Sequence, residues 1–151
     1  MPGIIRLLSV TLLTLTTAAA AGADTLSTPA AIDTHTGAFM TRVADGDVGA
    51  AYRSLRPYLG VPAEPYDASA EEARTYFNQV AERVGDTLAV SQARREAIGA
   101  DFYRVTWLQK FDTAAIAWTF TFYQPLEGYK LVGVSYSTEL SDLYRPVARA
   151  D

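Results

Sequence analysis

The 151-residue chain has room for one domain rather than two, and its 17 acidic and 13 basic residues give a net charge of −4. A mildly acidic chain is a poor match for a phosphate backbone, so we expect no binding to nucleic acid. Cysteine is absent. Its absence excludes disulfides, thiol catalysis and cysteine-ligated metals.

The first 23 residues have the three parts of a secretory signal. Arg6 provides the basic start, an uncharged apolar run covers residues 7–21, and small residues follow up to Ala23. We predict cleavage after Ala23, which gives a signal peptide over residues 1–23 and a single α+β domain over residues 24–151. The run is too short for a transmembrane helix. We therefore expect an exported protein, periplasmic or secreted, with no membrane span after cleavage.

Two helices are predicted at the start of the domain. Thr28 is a suitable N-cap, and Pro29 fits the first helical position, where a missing N–H does no harm. The helix should end near Asp45–Asp47, and Asp47 can cap a second, shorter helix that Pro57 ends. The apolar stripe of the first helix has the spacing of three or four that one helix face requires: Ile32, His35, Phe39 and Val43.

A third helix is predicted after a loop. Residues 57–68 contain three prolines and a glycine, which favour a loop. Ser69 and Glu72 have the spacing of a capping box, so we expect the helix to begin at Ser69. Gly85 is a natural C-terminal stop.

The remainder of the chain has the period of β-strands. β-branched and aromatic residues alternate with polar ones over residues 102–111, 115–124 and 129–138, and a shorter strand is expected near 91–98. A turn of helix near 140–144 can close the domain. Helices followed by hairpin-linked strands indicate an α+β fold in which N-terminal helices pack on a curved antiparallel sheet of three to four strands.

Alternation also predicts which side chains face the helices. The middle strand has its most apolar face at even positions, and the register of an antiparallel pair then selects the inward residues of its neighbours. The expected inward sets are Ile116, Trp118, Phe120 and Phe122; Tyr103, Val105, Trp107 and Phe111; and Val132, Val134 and Tyr136.

The pattern resembles the nuclear-transport-factor-2-like superfamily over most of residues 28–144. The similarity lies in a Gly-Asp turn that opens a short helix containing a tyrosine (residues 45–52), in the helix order, and in long strands with an aromatic and glycine turn region (residues 123–134). This cone-shaped, cystatin-like fold is shared with ketosteroid isomerase and polyketide cyclases, and the chain resembles an uncharacterised exported branch. The resemblance implies that helices cover the concave side of the sheet and that the opening of the cone is the ligand site.

The candidate pocket residues are the only histidine and six aromatic side chains, of which five lie on the inward sheet faces and one, Phe39, on the apolar stripe of the first helix. The alternative is that the aromatic side chains simply fill the core, which is their commonest role. The set is His35, Phe39, Tyr103, Trp107, Trp118, Phe120 and Tyr136.

No catalytic residue can be assigned from the sequence. His35 could be a general base, but neither a nucleophile nor a metal-ligand partner can be named for it. The carboxylates and tyrosine of an isomerase site cannot be mapped onto particular positions, and Asp45–Asp47 lacks the spacing of a calcium loop. We therefore expect no metal and no cofactor.

Two hypotheses of function follow. The first is an exported, non-catalytic binding or interaction module, which binds a small apolar ligand in the cone or a protein partner on the outer sheet face. A second copy of the chain could be that partner, giving a homodimer through the sheet. The alternative is a small cofactor-independent isomerase, cyclase or hydrolase that uses His35 or a buried acid. The outer-face residues are Thr119, Thr121, Tyr123, Ser135 and Ser137.

Overall fold

The computed structural model describes residues 23–147, which form three α-helices followed by four β-strands. The predicted signal peptide lies outside the described residues except for Ala23. Among the described helices, none has the length and apolar character needed to cross a membrane. Short 3₁₀ helices follow the second α-helix and the last strand. The elements are α1 (Pro29–Ala44), α2 (Val48–Leu55), α3 (Ala63–Val84), β1 (Ala89–Ile98), β2 (Phe102–Lys110), β3 (Ala115–Tyr123), β4 (Lys130–Ser137) and the 3₁₀ helices Arg56–Tyr58 and Ser141–Leu143.

The caps of α1 and α2 confirm the predicted helix starts. Thr28 Oγ1 accepts a hydrogen bond of 3.1 Å from the backbone N–H of Ala31, and Asp47 Oδ1 accepts one of 2.8 Å from Ala50. Gly46 makes the turn between the two helices with a φ of +82°, a conformation that glycine adopts without steric cost. The starts of α1 and α2 and the turn between them are therefore determined by local sequence.

The predicted start of α3 at Ser69 is wrong, because the helix begins at Ala63. Pro62 and Pro65 do not interrupt it, since one precedes the first turn and the other lies within it. The N–H groups of a first turn have no partner inside a helix, so proline loses no hydrogen bond there. Ser69 is consequently mid-helix, and its hydroxyl donates to the carbonyl of Pro65 at 3.0 Å. Gly85 ends the helix as predicted, with a φ of +80°.

The sheet is antiparallel with the order β1-β2-β3-β4, and it is curved and unclosed. The helices pack on one face, which confirms the predicted α+β architecture. Trp118, Phe120 and Phe122 of β3 have no exposed surface, so the inward face of the middle strand is the expected one.

One inward position of β4 differs from the prediction. A β-bulge between Thr121 and Phe122 shifts the register, so Leu131 rather than Val132 pairs with Phe122. Leu131 is buried and Val132 is only half-buried. Such a bulge inserts one extra residue into a strand and moves the following side chains to the other face.

The first described residues lie against the β3–β4 turn. Leu26 and Tyr129 exchange two backbone hydrogen bonds of 2.9 and 2.7 Å. Gly128 in this turn has a φ of +80°, and a Cβ placed there would overlap the side chain of Thr25. The turn therefore requires glycine both for its backbone and for close approach of the N-terminal segment.

Candidate binding site

Three of the seven candidate pocket residues lie in the centre of the core. Phe39, Trp118 and Phe120 have no exposed surface. The ring of Phe39 lies 5.4 Å from that of Trp118 and 4.9 Å from that of Phe120, both in edge-to-face geometry. Phe77 of α3 stacks on Trp118 at 4.9 Å. These contacts fill the space between the helices and the centre of the sheet.

Of the other candidates, Tyr136 and Trp107 lie at opposite margins of this aromatic core. Tyr136 stacks on Tyr76 of α3 at a ring distance of 5.2 Å. Trp107 is half-buried, and its indole Nε1 donates to Thr36 Oγ1 at 3.1 Å. Both side chains therefore join a helix to the sheet.

His35 lies at the surface of α1 that faces the first 3₁₀ helix. Its ring contacts that of Tyr58 edge-to-face at 4.9 Å. The imidazole is half-buried. His35 is therefore separate from the cavity described below, of which it is not a lining residue.

The sequence analysis did not find a polar cluster that attaches α1 to the sheet. Asp33 Oδ1 accepts hydrogen bonds from Gln92 Nε2 at 2.9 Å and from the Tyr103 hydroxyl at 3.2 Å. Asp33 Oδ2 accepts from Arg95 Nε at 2.8 Å. Burial, followed by the nearby Asp33 charge, raises the pKa of the Tyr103 hydroxyl, so this group stays a neutral donor. Through these three hydrogen bonds, the carboxylate connects α1 to β1 and β2.

Among the described residues, the one buried side-chain polar atom without a hydrogen bond is Arg94 Nε, which lies 3.2 Å from Glu96 Oε2. The Tyr66 hydroxyl donates to the carbonyl of Tyr52 at 2.7 Å, and burial raises the pKa of both phenols well above their usual value. Among the described residues, the buried polar side chains are Thr36, Thr106 and Gln109, none of which is an acid.

A cavity of about 380 Å³ opens between the C-terminal ends of α1 and α3, and we call it the terminal cavity. Its floor belongs to the core itself, since Val43, Phe77 and Phe111 are buried. Its rim is polar. The floor is formed by Val43, Phe77, Val80 and Phe111, and the polar lining by Asp45, Asp86, Thr87 and Gln109.

Gln109 connects the terminal cavity to the aromatic core. Its Oε1 accepts from the indole Nε1 of Trp118 at 2.9 Å, and its Nε2 donates to Thr87 Oγ1 at 2.8 Å. Both amide atoms are therefore occupied. Thr87 is half-buried at the rim, so this chain of hydrogen bonds runs from the interior to the solvent-facing side of the cavity.

Two glycines of the cavity lining end the helices that meet there. Gly46 follows the end of α1 and Gly85 the end of α3, and both have positive φ angles. A Cβ at either position would meet no atom within 4 Å. These glycines are therefore needed for the helix-ending turns and not for close packing.

A second, more apolar groove of about 470 Å³ runs along the other side of α3, and we call it the side groove. It shares Val80 and Phe111 with the terminal cavity, so these two side chains form a ridge between the two depressions. Arg83 is the basic residue of the side groove.

The outer sheet face carries the residues proposed for a protein partner, and part of it contacts the C-terminal segment. Arg94 pairs with Thr106 on this face, and its Nη1 donates to the carbonyl of Asp142 at 2.8 Å. The 3₁₀ helix Ser141–Leu143 therefore lies beside the sheet. Thr106 is buried. Dimerisation through the remaining face stays a prediction; its residues are Thr119, Thr121, Tyr123, Ser135 and Ser137.

No family model matches this chain, and no curated protein or solved structure is significantly similar to it. The similarity to the nuclear-transport-factor-2-like superfamily therefore stays a prediction from the sequence pattern. Function has to be argued from the cavities and side chains themselves.

Proposed function

We propose that the protein is an exported, non-catalytic binding module that takes a small ligand in the terminal cavity. The observation that carries this proposal is the lining of the cavity, in which buried apolar side chains form the floor and the polar Asp45, Asp86 and Thr87 lie at the rim. Ligand sites typically combine these two features in a volume of roughly 300–1,000 Å³. Cavities of about 220 and 170 Å³ elsewhere on the described surface are smaller than this range. The side groove of about 470 Å³ and a depression of about 440 Å³ on α3 also lie within the range. The side groove has no acidic group in its lining, however, and the depression has no buried residue in its lining.

The packed aromatic core supports a ligand site in the terminal cavity rather than at the centre of the domain. Phe39, Trp118 and Phe120 occupy the space between α1 and the sheet without any exposed surface. A ligand at the centre would have to displace these rings, whose packing is strongly stabilising: truncating such a ring to alanine costs about 3–5 kcal/mol. The terminal cavity is open space, so a ligand there would displace no side chain.

The position of His35 gives the catalytic alternative less support. Its imidazole contacts Tyr58 and is not part of the lining of the terminal cavity. A general base has to reach the reacting group directly or through one water molecule. The side chains at the rim of the cavity instead provide hydrogen-bonding groups and charge, which suit binding.

The binding proposal can be tested by NMR with a fragment mixture that contains cationic, neutral and anionic aromatic compounds. We expect saturable shifts of the backbone amides of Gly46, Gly85 and Thr87 in ¹H–¹⁵N spectra of the domain. Ala81→Phe should abolish them, because Ala81 lines the cavity and the larger side chain would take up part of the space that a ligand needs. Ala68→Phe is the matched control, since Ala68 is an exposed residue of the same helix. Fragment shifts that persist in Ala81→Phe, or that occur only elsewhere, would contradict the proposal.

Export can be tested separately by expressing the full chain in a bacterium and measuring the intact mass of the protein outside the cytoplasm. We expect a mature chain that begins at Asp24. The backbone N of Asp24 donates to the carbonyl of Pro57 at 2.9 Å, a contact that the new α-amino group can retain. Recovery of only the full-length chain from the cytoplasm would contradict export.

A further inference from the structure

We propose that the ligand of the terminal cavity is an amphipathic cation, namely an amine attached to an apolar or aromatic body. This inference rests on the proposed function and names the class of its ligand. It is argued from the charges of the rim, the helix ends that meet there and the apolar floor.

The charged lining of the terminal cavity is exclusively acidic. Asp45 and Asp86 both line it, and no lysine or arginine does. Within residues 23–147, neither carboxylate has an ion-pair partner, whereas Asp33, Asp67 and Glu96 each pair with an arginine. Complementary charge on a ligand would be favoured here, and a ligand carboxylate would be repelled.

The end of α3 adds to this negative potential. α3 terminates at the cavity with Gly85 as its C-cap. The C-terminus of a helix carries a partial negative charge of roughly half an elementary charge, which favours cations. α1 also ends at the cavity, but its last carbonyls accept hydrogen bonds from the following turn, and the N-terminus of α2 begins directly after that turn. The backbone contribution therefore comes mainly from α3.

The carboxylates of the lining can accept hydrogen bonds from an ammonium group. Asp45 and Asp86 are both exposed at the rim. Among the described residues, neither carboxylate is used by an arginine or lysine. An ammonium group has three donors and no acceptor, so it matches these two acceptors.

The apolar part of the cavity lining indicates that the ligand also has an apolar body. The apolar surface that a ligand can reach belongs mainly to Ala44, Val80 and Ala81, which are half-buried or exposed. Val43, Phe77 and Phe111 beneath them are buried and add only small areas. A small hydrophilic cation such as a metal ion would leave this surface in water. An aromatic or aliphatic body would cover it, and it could extend across the ridge of Val80 and Phe111 into the side groove. The two halves of the cavity therefore select a molecule with a cationic head and an apolar body.

Two ligands with the same indole body and opposite charges test this proposal. We expect tryptamine to shift the amides of Gly46, Gly85 and Thr87 saturably, and indole-3-propionate to bind at least about tenfold more weakly. Putrescine, which has the charge without the apolar body, should also bind more weakly than tryptamine. The titrations use the domain over residues 24–151 at low and at physiological salt, because screening should weaken the preference for the cation.

Asparagine variants separate the charge from the shape of the cavity. The double variant Asp45→Asn/Asp86→Asn should bind tryptamine about fivefold or more weakly. Asp101→Asn is the control, since Asp101 is an exposed acid in the β1–β2 turn outside the lining, and it should change affinity less than about twofold. Asp45 and Asp86 are exposed, so the variants should keep their far-UV circular dichroism.

The outcomes distinguish the class of ligand from the site. If both indole ligands bind equally well and the double variant has no effect, the cation preference is wrong while the proposed function stands. If tryptamine does not bind but neutral fragments shift the same amides, the conclusion is the same. If no compound perturbs Gly46, Gly85 or Thr87, the proposed function and the ligand class both fail.

Discussion

The link between Gln109 and Trp118 provides a quantitative test of how the cavity floor is held. Gln109→Leu removes the acceptor of the Trp118 indole N–H, which donates at 2.9 Å and has no exposed surface. A buried donor left without a partner costs about 1–3 kcal/mol. Thr87, the other partner of Gln109, is half-buried and can bond to water. We therefore expect a loss of about 1–3 kcal/mol in the free energy of unfolding, or roughly 4–12 °C in Tm for a domain of this size.

A double-mutant cycle isolates the orphaned indole N–H from the other effects of the substitution. Trp118→Phe removes the donor, so Gln109→Leu should be less destabilising in the Trp118→Phe background by about 1 kcal/mol or more. The free energy of unfolding of all four proteins is measured by urea titration with circular dichroism as the signal, because two of the proteins lack the fluorescence of Trp118. Equal effects of Gln109→Leu in both backgrounds would refute the hydrogen bond as the source of stability.

Three further predictions concern the remainder of the fold. Asp33→Ala removes the acceptor of three side-chain hydrogen bonds and should lower the free energy of unfolding by about 1–3 kcal/mol in urea titrations; no measurable change would contradict a structural role for this carboxylate. The Arg104 guanidinium lowers the pKa of Glu96 below its usual value of 4.5. The stability difference between the wild type and Glu96→Gln should therefore be fully present above about pH 4.5 and disappear as the pH falls through the lower folded-state pKa; a difference independent of pH would contradict this. Gly128→Ala should reduce Tm more than Gly46→Ala, because both glycines have φ near +80° but only a Cβ at Gly128 overlaps the N-terminal segment; equal losses would exclude that overlap.

Much of the architecture follows from local sequence signals. The caps of α1 and α2 depend on Thr28 and Asp47, whose side chains bond to backbone groups three residues later. The inward face of β3 follows from strict alternation around Trp118 and Phe120. Patterns of this kind act over a few residues and can therefore be found without knowledge of the tertiary structure.

The errors arose where a local signal has two interpretations. Pro62 and Pro65 favour a loop in most contexts, but they are equally compatible with the first turn of α3, which begins at Ala63. The alternation of residues in β4 predicted that Val132 faces the helices. The bulge opposite Thr121 shifts the register, so Leu131 pairs with Phe122 instead. A bulge depends on how two strands pair, which the sequence of one strand does not show.

The candidate site could not be predicted from the sequence, because it is formed by contacts between distant parts of the chain. Asp33 is 59 residues from Gln92 and 70 from Tyr103, so no spacing rule could group them. The terminal cavity joins Asp45, at the end of α1, with Asp86, which follows α3. The sequence signals for both positions were turn signals, and only the packing of the helices brings the two turns to one opening.

The most direct test of this account is a crystal structure of residues 24–151 soaked with a library of small aromatic fragments of mixed charge. The account predicts that bound fragments collect in the terminal cavity, with apolar rings on Phe77 and Phe111 and amines beside Asp45 or Asp86. Fragments bound between Phe39 and Trp118, or a terminal cavity that stays unoccupied while other surfaces are filled, would contradict it.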